Sequence, residues 1–285
     1  MAQPPPDVEG KSLTIVSYNV RYGTANDGAD HWSRRRGRLF ELLAELDADL
    51  LGLQEALDFQ IAEILAAQPR YAAVGVGRDD GRAAGEHAPI LFDRERLRVA
   101  DAGTFWFSDH PEVPGSATWG NRIPRIATWA RFVDREGGTF FHWNVHLDHQ
   151  SQPSRERSTE MLASRIASRS PIDPVVITGD FNAGEDNAAM ATLVDTPGYD
   201  ASPRSAPFLD TFRVLFPTAE SVGTFGGFDP AQTTGPKIDY VLVQPGASVL
   251  EAAIVRWHRD DRAPSDHFPV LARVRLPTAP PPPAR

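Results

Sequence analysis

The chain of 285 residues contains no cysteine. That absence removes disulfide scaffolds, thiolate zinc sites and cysteine nucleophiles together. Long apolar runs are missing too, since no window approaches the roughly 18 residues that a membrane-spanning helix needs. Positive charge is scarce: 29 Lys and Arg stand against 38 Asp and Glu, a formal net charge of −9. Such a surface disfavours loose binding to nucleic acid or anionic membrane, although it leaves room for a locally basic pocket. No glycine-rich nucleotide loop followed by Lys occurs, which argues against a P-loop nucleoside triphosphatase. The start, Met1-Ala2-Gln3-Pro4-Pro5-Pro6, lacks the basic and apolar regions of a signal peptide. Compartment stays open between the cytoplasm and export with a leader already removed.

What is present suffices for one large core, because 41% of the residues are hydrophobic. Proline-rich ends, residues 1–11 and 277–285, are expected to be disordered or polyproline-like and to flank a single domain over 12–276. Leu13 to Tyr18 reads as a β-type run ending at Asn19. Ser33 is expected to cap a helix whose Leu39, Leu42, Leu43 and Leu46 share one face. Asp49 to Gln54 is too short for a helix and reads as a buried strand ending at Glu55. A helix over Asp58 to Ala67 and several strands between Tyr71 and Phe107 follow. A Pro/Gly/Ser loop, Asp109 to Gly120, leads to a hairpin of Ile126–Val133 and Thr139–Leu147, turned at Glu136-Gly137-Gly138. A helix over Ser154 to Ala167, a buried strand Pro174 to Thr178, and strands 238–243, 250–257 and 268–274 complete the pattern. Two packed β-sheets with helices outside them are expected, an α/β fold, or α+β by stricter naming.

Polar residues recur beside buried strands. Asn19 follows the first strand, Glu55 the second, and Asp180 and Asn182 the strand from Val175, while Asp266-His267 precedes the last. Side chains at strand ends can converge on one rim and be held rigidly enough to position a metal. Glu55 is a hard oxygen ligand suited to Mg2+ or Mn2+. Such an ion polarises a phosphoryl oxygen and neutralises the leaving group. Asp180 can orient or deprotonate a water, Asn182 offers an amide donor to a phosphate oxygen, and His267 is a candidate base or donor.

Six blocks occur in one order: Ser17-Tyr18-Asn19-Val20-Arg21, Leu53-Gln54-Glu55, Asn144-Val145-His146-Leu147-Asp148, Thr178-Gly179-Asp180-Phe181-Asn182, Lys237-Ile238-Asp239-Tyr240 and Ser265-Asp266-His267-Phe268-Pro269-Val270. Together they resemble the endonuclease/exonuclease/phosphatase superfamily, from Leu13 to Arg275. The resemblance implies a four-layer sandwich with the site at the rim between two sheets. It implies Glu55 as principal metal ligand with Asn19 beside it, and Asp266 assisting. By the same resemblance Asp180 activates water, Asn182 contacts phosphate, His146 donates to the phosphate, and Asp239 orients a catalytic His267. One departure is that Asn19 is followed by Val20 and Arg21, where abasic-site endonucleases resemble Asn-x-Asp. Arg21 is then a candidate phosphate contact, with a surface salt bridge as the alternative.

The stretches His31 to Arg36, Phe105-Trp106-Phe107, Trp119 to Arg125 and Trp129 resemble a bacterial subgroup of the same superfamily. Trp32, Trp106, Trp119 and Arg122 are candidate substrate contacts, because Trp stacks on sugars or bases and Arg grips phosphate. Trp129 alternates within a strand and reads as core. Arg34, Arg35 and Arg36 crowd a helix start, where Asp27 and Asp30 are expected to neutralise them. A small phosphodiester or phosphomonoester is the first substrate choice, and nucleic acid the second. Two other readings compete. Asn144 to His149 approaches the His-x-His-x-Asp-His zinc motif of metallo-β-lactamases, but Asn144 stands in place of the first histidine. A non-catalytic binding protein would have lost Glu55, Asp180, Asn182, Asp239 or His267, and all five are intact.

Overall fold

Two parallel strand pairs form the centre of the fold, each joined by a helix because a parallel connection must cross back over the sheet. The first is β1 (Leu13–Asn19), α1 (Trp32–Leu46) and β2 (Leu50–Gln54); the second is β7 (Thr139–His146), α3 (Gln152–Ala167) and β8 (Val175–Asp180). This computed structural model describes residues 12–194 and 208–277, so the expectations on the proline-rich ends lie almost wholly outside the described residues. The remaining elements are α2 (Asp58–Ala67), β3 (Tyr71–Val74), β4 (Ile90–Asp93), β5 (Leu97–Trp106), β6 (Ile126–Asp134), α4 (Ala188–Ala191), β9 (Leu209–Asp210), α5 (Thr211–Leu215), β10 (Asp239–Val243), β11 (Ser248–Ile254) and β12 (Val270–Arg275). One six-stranded sheet runs β11-β12-β1-β2-β4-β3 and the other β5-β6-β7-β8-β10-β9. Both are mixed, with the parallel pair third and fourth and antiparallel neighbours on either side.

Strand alternation builds the four layers. Val16, Tyr18, Leu51 and Leu53 face outward against Leu39, Leu42 and Leu43 of α1 and Ile64 of α2. Trp143, Val145 and Ile177 face outward on the other sheet, against Leu162 and Ile166 of α3. Ile15, Leu50, Phe132, Phe140, Val176, Val241 and Val270 fill the space between the sheets.

That middle layer changes character along the strands. Beyond the apolar end lies a fully buried polar belt of Ser17, Gln54, His142, Asn144 and Thr178. Asn144 Nδ2 donates to the carbonyls of Leu53 and Pro89, and its Oδ1 accepts from Gln54 Nε2 (2.8 Å) and Thr178 Oγ1 (2.9 Å). The Thr178 hydroxyl proton is thus used, so His142 Nε2 donates to Thr178 Oγ1 (2.8 Å). Gly52 sits where the sheets approach most closely, and a Cβ there would land on the Thr178 hydroxyl and the Asn144 amide oxygen.

Burial pushes the His142 pKa down to about 3. An unfolded chain protonates this residue below about pH 6.5 and the folded one does not, so stability falls as pH drops from about 6.5 towards 3. His142→Gln keeps an amide donor for Thr178 and carries no titrating ring. Chemical denaturation at pH 7 and pH 4.5 should find the variant's acid loss smaller than that of the wild type by about 2 to 3 kcal/mol. Parallel losses in the two proteins would assign acid sensitivity to other groups.

Two expected helix starts shift, and the strands expected over 250–257 and 268–274 run over Ser248–Ile254 and Val270–Arg275. The cap of α1 is His31, whose Nδ1 accepts from the Ser33 backbone N–H (3.3 Å), so Ser33 already lies inside the helix. Ser151 caps α3 and a proline occupies its first turn, which starts that helix at Gln152 rather than Ser154.

Candidate active site

Pairing register gathers the polar strand ends. His146 is opposite Asp180 across β7 and β8, and Asp180 is opposite Asp239 across β8 and β10. All three point into the inter-sheet space on neighbouring strands. From the other sheet, Asn19 at the end of β1 reaches across, its Nδ2 donating to Asp180 Oδ2 (3.0 Å) and to Glu55 Oε1 (3.0 Å). One amide therefore links the carboxylates of both sheets.

Asp180 is the hub. Its Oδ1 accepts from the Asn182 backbone N–H (2.9 Å), while Oδ2 lies 3.6 Å from His146 Nε2 and 3.8 Å from His267 Nε2. Burial, reinforced by the charge of Asp239, pushes its pKa up to about 7. His267 Nδ1 meets Asp239 Oδ2 at 2.9 Å. Burial alone would keep that imidazole neutral, but Asp239, Asp180 and Asp266 together hold its pKa well above the ordinary histidine value. The raised pKa favours the doubly protonated ring, in which Nδ1–H is donated to Asp239 and Nε2–H faces Asp180.

Glu55, Arg21 and Asn182 share an unusual backbone, with φ of 62°, 56° and 48°. Left-handed geometry at non-glycine residues is strained and persists where surrounding bonds over-determine it. Glu55 Oε2 accepts from the Tyr22 N–H (3.1 Å), the Arg21 N–H donates to Asn19 Oδ1 (2.9 Å), and Asn182 Nδ2 donates to the Leu147 carbonyl (3.1 Å). Arg21 meets both of its alternatives: it pairs with Asp27 (3.0 Å), lies 3.6 Å from Asp266, and lines the cleft.

The cleft above these groups has a volume of about 900 Å³. Among the wall residues given no role in the sequence reading are Arg78, Glu86, Arg125 and His149. Arg125 is buried, and its Nη1 and Nη2 donate to His146 Nε2 (3.1 Å) and His149 Nδ1 (2.9 Å). A guanidinium has donors only, so His146 Nε2 must be an acceptor. Burial and the charges of Arg125 and Arg78 agree, holding the His146 pKa well below the ordinary value. The donor role that the resemblance implies for His146 is thus not set up at Nε2, and the N–H donors at this corner belong to Arg125. Arg78 pairs with Glu86, which stands 3.8 Å from His146 Nδ1. A buried arginine and an exposed one look alike in sequence, so no local pattern separated Arg125 from Arg122.

Several expected substrate contacts lie elsewhere. Trp106 is buried and its indole N–H donates to the Arg78 carbonyl (2.6 Å). Trp119 packs in the outer core with its N–H on Asp109 (2.8 Å), and Trp32 packs under α1 with its N–H on Glu63 (2.8 Å). Each indole reaches a polar partner only by burying its rings, so none lines the cleft. Arg122 is exposed and outside the lining. Trp129 stacks on Trp143 against the outer core, as expected of a strand residue. Asp27 pairs directly with Arg21, and Asp30 with Arg38 and Arg262; within the run Arg34 to Arg36, Arg35 feels Asp27 through its charge and without contact. Arg35 is wholly buried and binds backbone carbonyls, while Arg36 pairs with Glu63.

The donor set suits a hard divalent cation. Asp180 and Asp266 both have raised pKa values, in each case chiefly from burial with a neighbouring carboxylate adding to it, Asp239 for Asp180 and Glu55 for Asp266. Buried negative charge of this kind is relieved by a cation. Asp180, Asp239 and His267 approach closely enough to share an ion. However, Asp239 is committed to His267, and the Asn19 amide turns its Nδ2 to the acids and its Oδ1 to the Arg21 N–H, so Glu55, Asp180 and Asp266 are the remaining acidic oxygen donors at this rim.

The profile of the Endonuclease/Exonuclease/phosphatase family matches residues 16–267. A Bacteroides vulgatus endonuclease/exonuclease/phosphatase structure is 30% identical, covers 94% of this chain and 100% of its own, and superposes with a TM-score of 0.81. A Bacteroides thetaiotaomicron mannosyl-6-phosphatase is 29% identical, with coverage of 92% and 99% and a TM-score of 0.79. The CCR4-Not complex 3'-5'-exoribonuclease subunit of Saccharomyces cerevisiae is 23% identical over 95% of this chain, which spans only 39% of that protein's length.

Proposed function

The chain belongs to the endonuclease/exonuclease/phosphatase family and is a phosphoesterase, and from that premise we propose hydrolysis of a small phosphomonoester with Mg2+ or Mn2+. The observation that carries the reaction is the Asp180 hub, a carboxylate tuned to about 7 between a bridging amide and two imidazoles. A base with a pKa near the working pH balances availability against strength.

In this reading Asp180 Oδ2 takes a proton from the attacking water. The Asn182 backbone N–H and Asn19 Nδ2 keep the carboxylate aimed. His267 Nε2–H, oriented by Asp239 at the other ring nitrogen, donates to the phosphoryl or leaving oxygen as negative charge builds there. Arg125, held by His146 and His149, gives its remaining N–H donors to the non-bridging oxygens, with Arg21 on the opposite wall. Glu55, Asp180 and Asp266 would hold the ion, which when bound neutralises charge on the phosphoryl group, while Asn19 keeps its amide N–H on the acids.

The cleft volume lies within the usual range for small-molecule sites. Two guanidinium groups on one wall suit a terminal phosphate, and the net charge of −9 opposes long nucleic acid. The mannosyl-6-phosphatase among the similar structures is a further support for a sugar phosphate.

The test is a panel of sugar phosphates, a simple diester and plasmid DNA, each assayed with magnesium, manganese, zinc or chelator. Turnover of monoesters with magnesium or manganese, abolished by chelator and restored by the ion, is the expected result. Faster cleavage of DNA than of any monoester would replace the substrate assignment with the nuclease one. Activity with zinc alone would count against the whole scheme.

A further inference from the structure

Phe225 is 51% exposed, and among the described residues it is the one large exposed apolar side chain that lines the cleft. Its ring stands edge-on to His267, with centroids 5.2 Å apart. The backbone holds it there from both sides. The Phe268 N–H donates to the Thr224 carbonyl (2.8 Å), and the Gly226 and Gly227 N–H groups donate to the Asp266 carbonyl (2.7 and 3.0 Å). Thr224 Oγ1 accepts from the N–H groups of Ile238 and Asp239 (3.0 and 3.2 Å). The phenyl ring is therefore tied to both members of the Asp239–His267 pair before any substrate arrives. A Cβ on Gly226 would strike the Phe268 ring, so this approach needs glycine.

An aromatic whose backbone is held this way packs one edge against His267 and leaves about half of its surface open to the cleft. Gln232 and Thr234 also line the cleft and bring hydrogen-bonding groups to it. We infer that Phe225 is the specificity-determining residue for the leaving alcohol, stacking on the ring of a sugar whose hydroxyls meet Gln232 and Thr234. A primary sugar phosphate suits this spacing, because its ring is one carbon away from the oxygen that His267 faces. The inference rests on the phosphoesterase reading above.

The experiment compares glucose 6-phosphate with glycerol 3-phosphate, an acyclic primary ester, in wild type, Phe225→Ala and Phe225→Tyr. Phe225→Ala should raise KM for the sugar ester about tenfold or more, with a loss on the acyclic ester several-fold smaller, and Phe225→Tyr should restore the wild-type ratio. Equal losses of kcat on both esters would mean that Phe225 only buttresses His267, and would overturn the inference while leaving the phosphoesterase reading intact. A wild-type preference for glycerol 3-phosphate over glucose 6-phosphate would overturn the sugar assignment. A wild type inactive on every ester with magnesium and manganese would remove the underlying reading and the inference with it.

Discussion

Asp180→Asn should lower kcat about a thousandfold while the protein unfolds at the same temperature as the wild type or a higher one. The first half follows from the position of the carboxylate: an amide cannot take a proton from water. The second half follows from electrostatics. In the wild type, burial and the neighbouring charge of Asp239 oppose ionisation of Asp180, which is why its pKa sits at about 7. The single amide oxygen of the variant keeps only one of the two bonds that Oδ1 and Oδ2 accept from the Asn182 N–H and Asn19 Nδ2, but its neutrality removes the repulsion from Asp239, which offsets the bond lost. Activity and stability should therefore move in opposite directions. Steady-state kinetics beside thermal denaturation reads both. Residual activity above about a tenth of wild type would remove Asp180 from the role of base. A parallel fall in melting temperature would mean that the hub is mainly structural.

Arg35→Met should cost about 3 to 5 kcal/mol of stability, roughly 10 °C in melting temperature, and depress activity with it. Arg35 is fully buried in α1, yet its guanidinium donates to three backbone carbonyls, those of Val20 (2.8 Å), Arg21 (2.7 Å) and Pro264 (2.9 Å). Val20 and Arg21 follow Asn19, and Pro264 stands just before Ser265-Asp266-His267. Ser265 reinforces the seam, its hydroxyl donating to the Asn19 carbonyl (2.7 Å). Arg35 thus joins the loop after β1 to the loop before β12, which together carry Asn19, Arg21, Asp266 and His267. Methionine keeps the aliphatic stem but removes the donor from the buried Val20 and Pro264 carbonyls and leaves the Arg21 carbonyl with Gln60 Nε2 alone, and that desolvation cost dominates. Arg35→Lys should recover only part of the loss, since a point charge cannot span three acceptors. A melting temperature within about 2 °C of wild type for Arg35→Met would show that water replaces the guanidinium readily.

The same residue marks the limit of sequence reading. Arg34, Arg35 and Arg36 are indistinguishable as a basic run at a helix start, and only the turn of α1 sends the middle one inward. Tryptophan posed a similar problem. Trp106 and Trp119 flank loops that suggest a binding surface, but their large apolar rings gain more from burial once the indole N–H finds a carbonyl or carboxylate. Arg125 was passed over in favour of Arg122 because burial is decided by strands far apart in the chain.

By itself the sequence determined the alternation of buried strands and amphipathic helices, hence two sheets with helices outside. It also identified the acids, amides and histidines at strand ends, because polar residues directly after apolar runs have few structural uses. The absence of cysteine and the shortage of positive charge narrowed the chemistry further. Only the tertiary structure decided how those residues meet. Register across β7, β8 and β10 lines up His146, Asp180 and Asp239, and the approach of the two sheets at Gly52 lets Asn19 bridge to Asp180. Proton positions, pKa shifts and the cationic corner around Arg125 depend on distances of a few ångströms and on exclusion of water. Those quantities arise from packing between different strands and loops, from 21 residues apart at Arg125 and His146 to 161 at Asn19 and Asp180, and no local pattern encodes them.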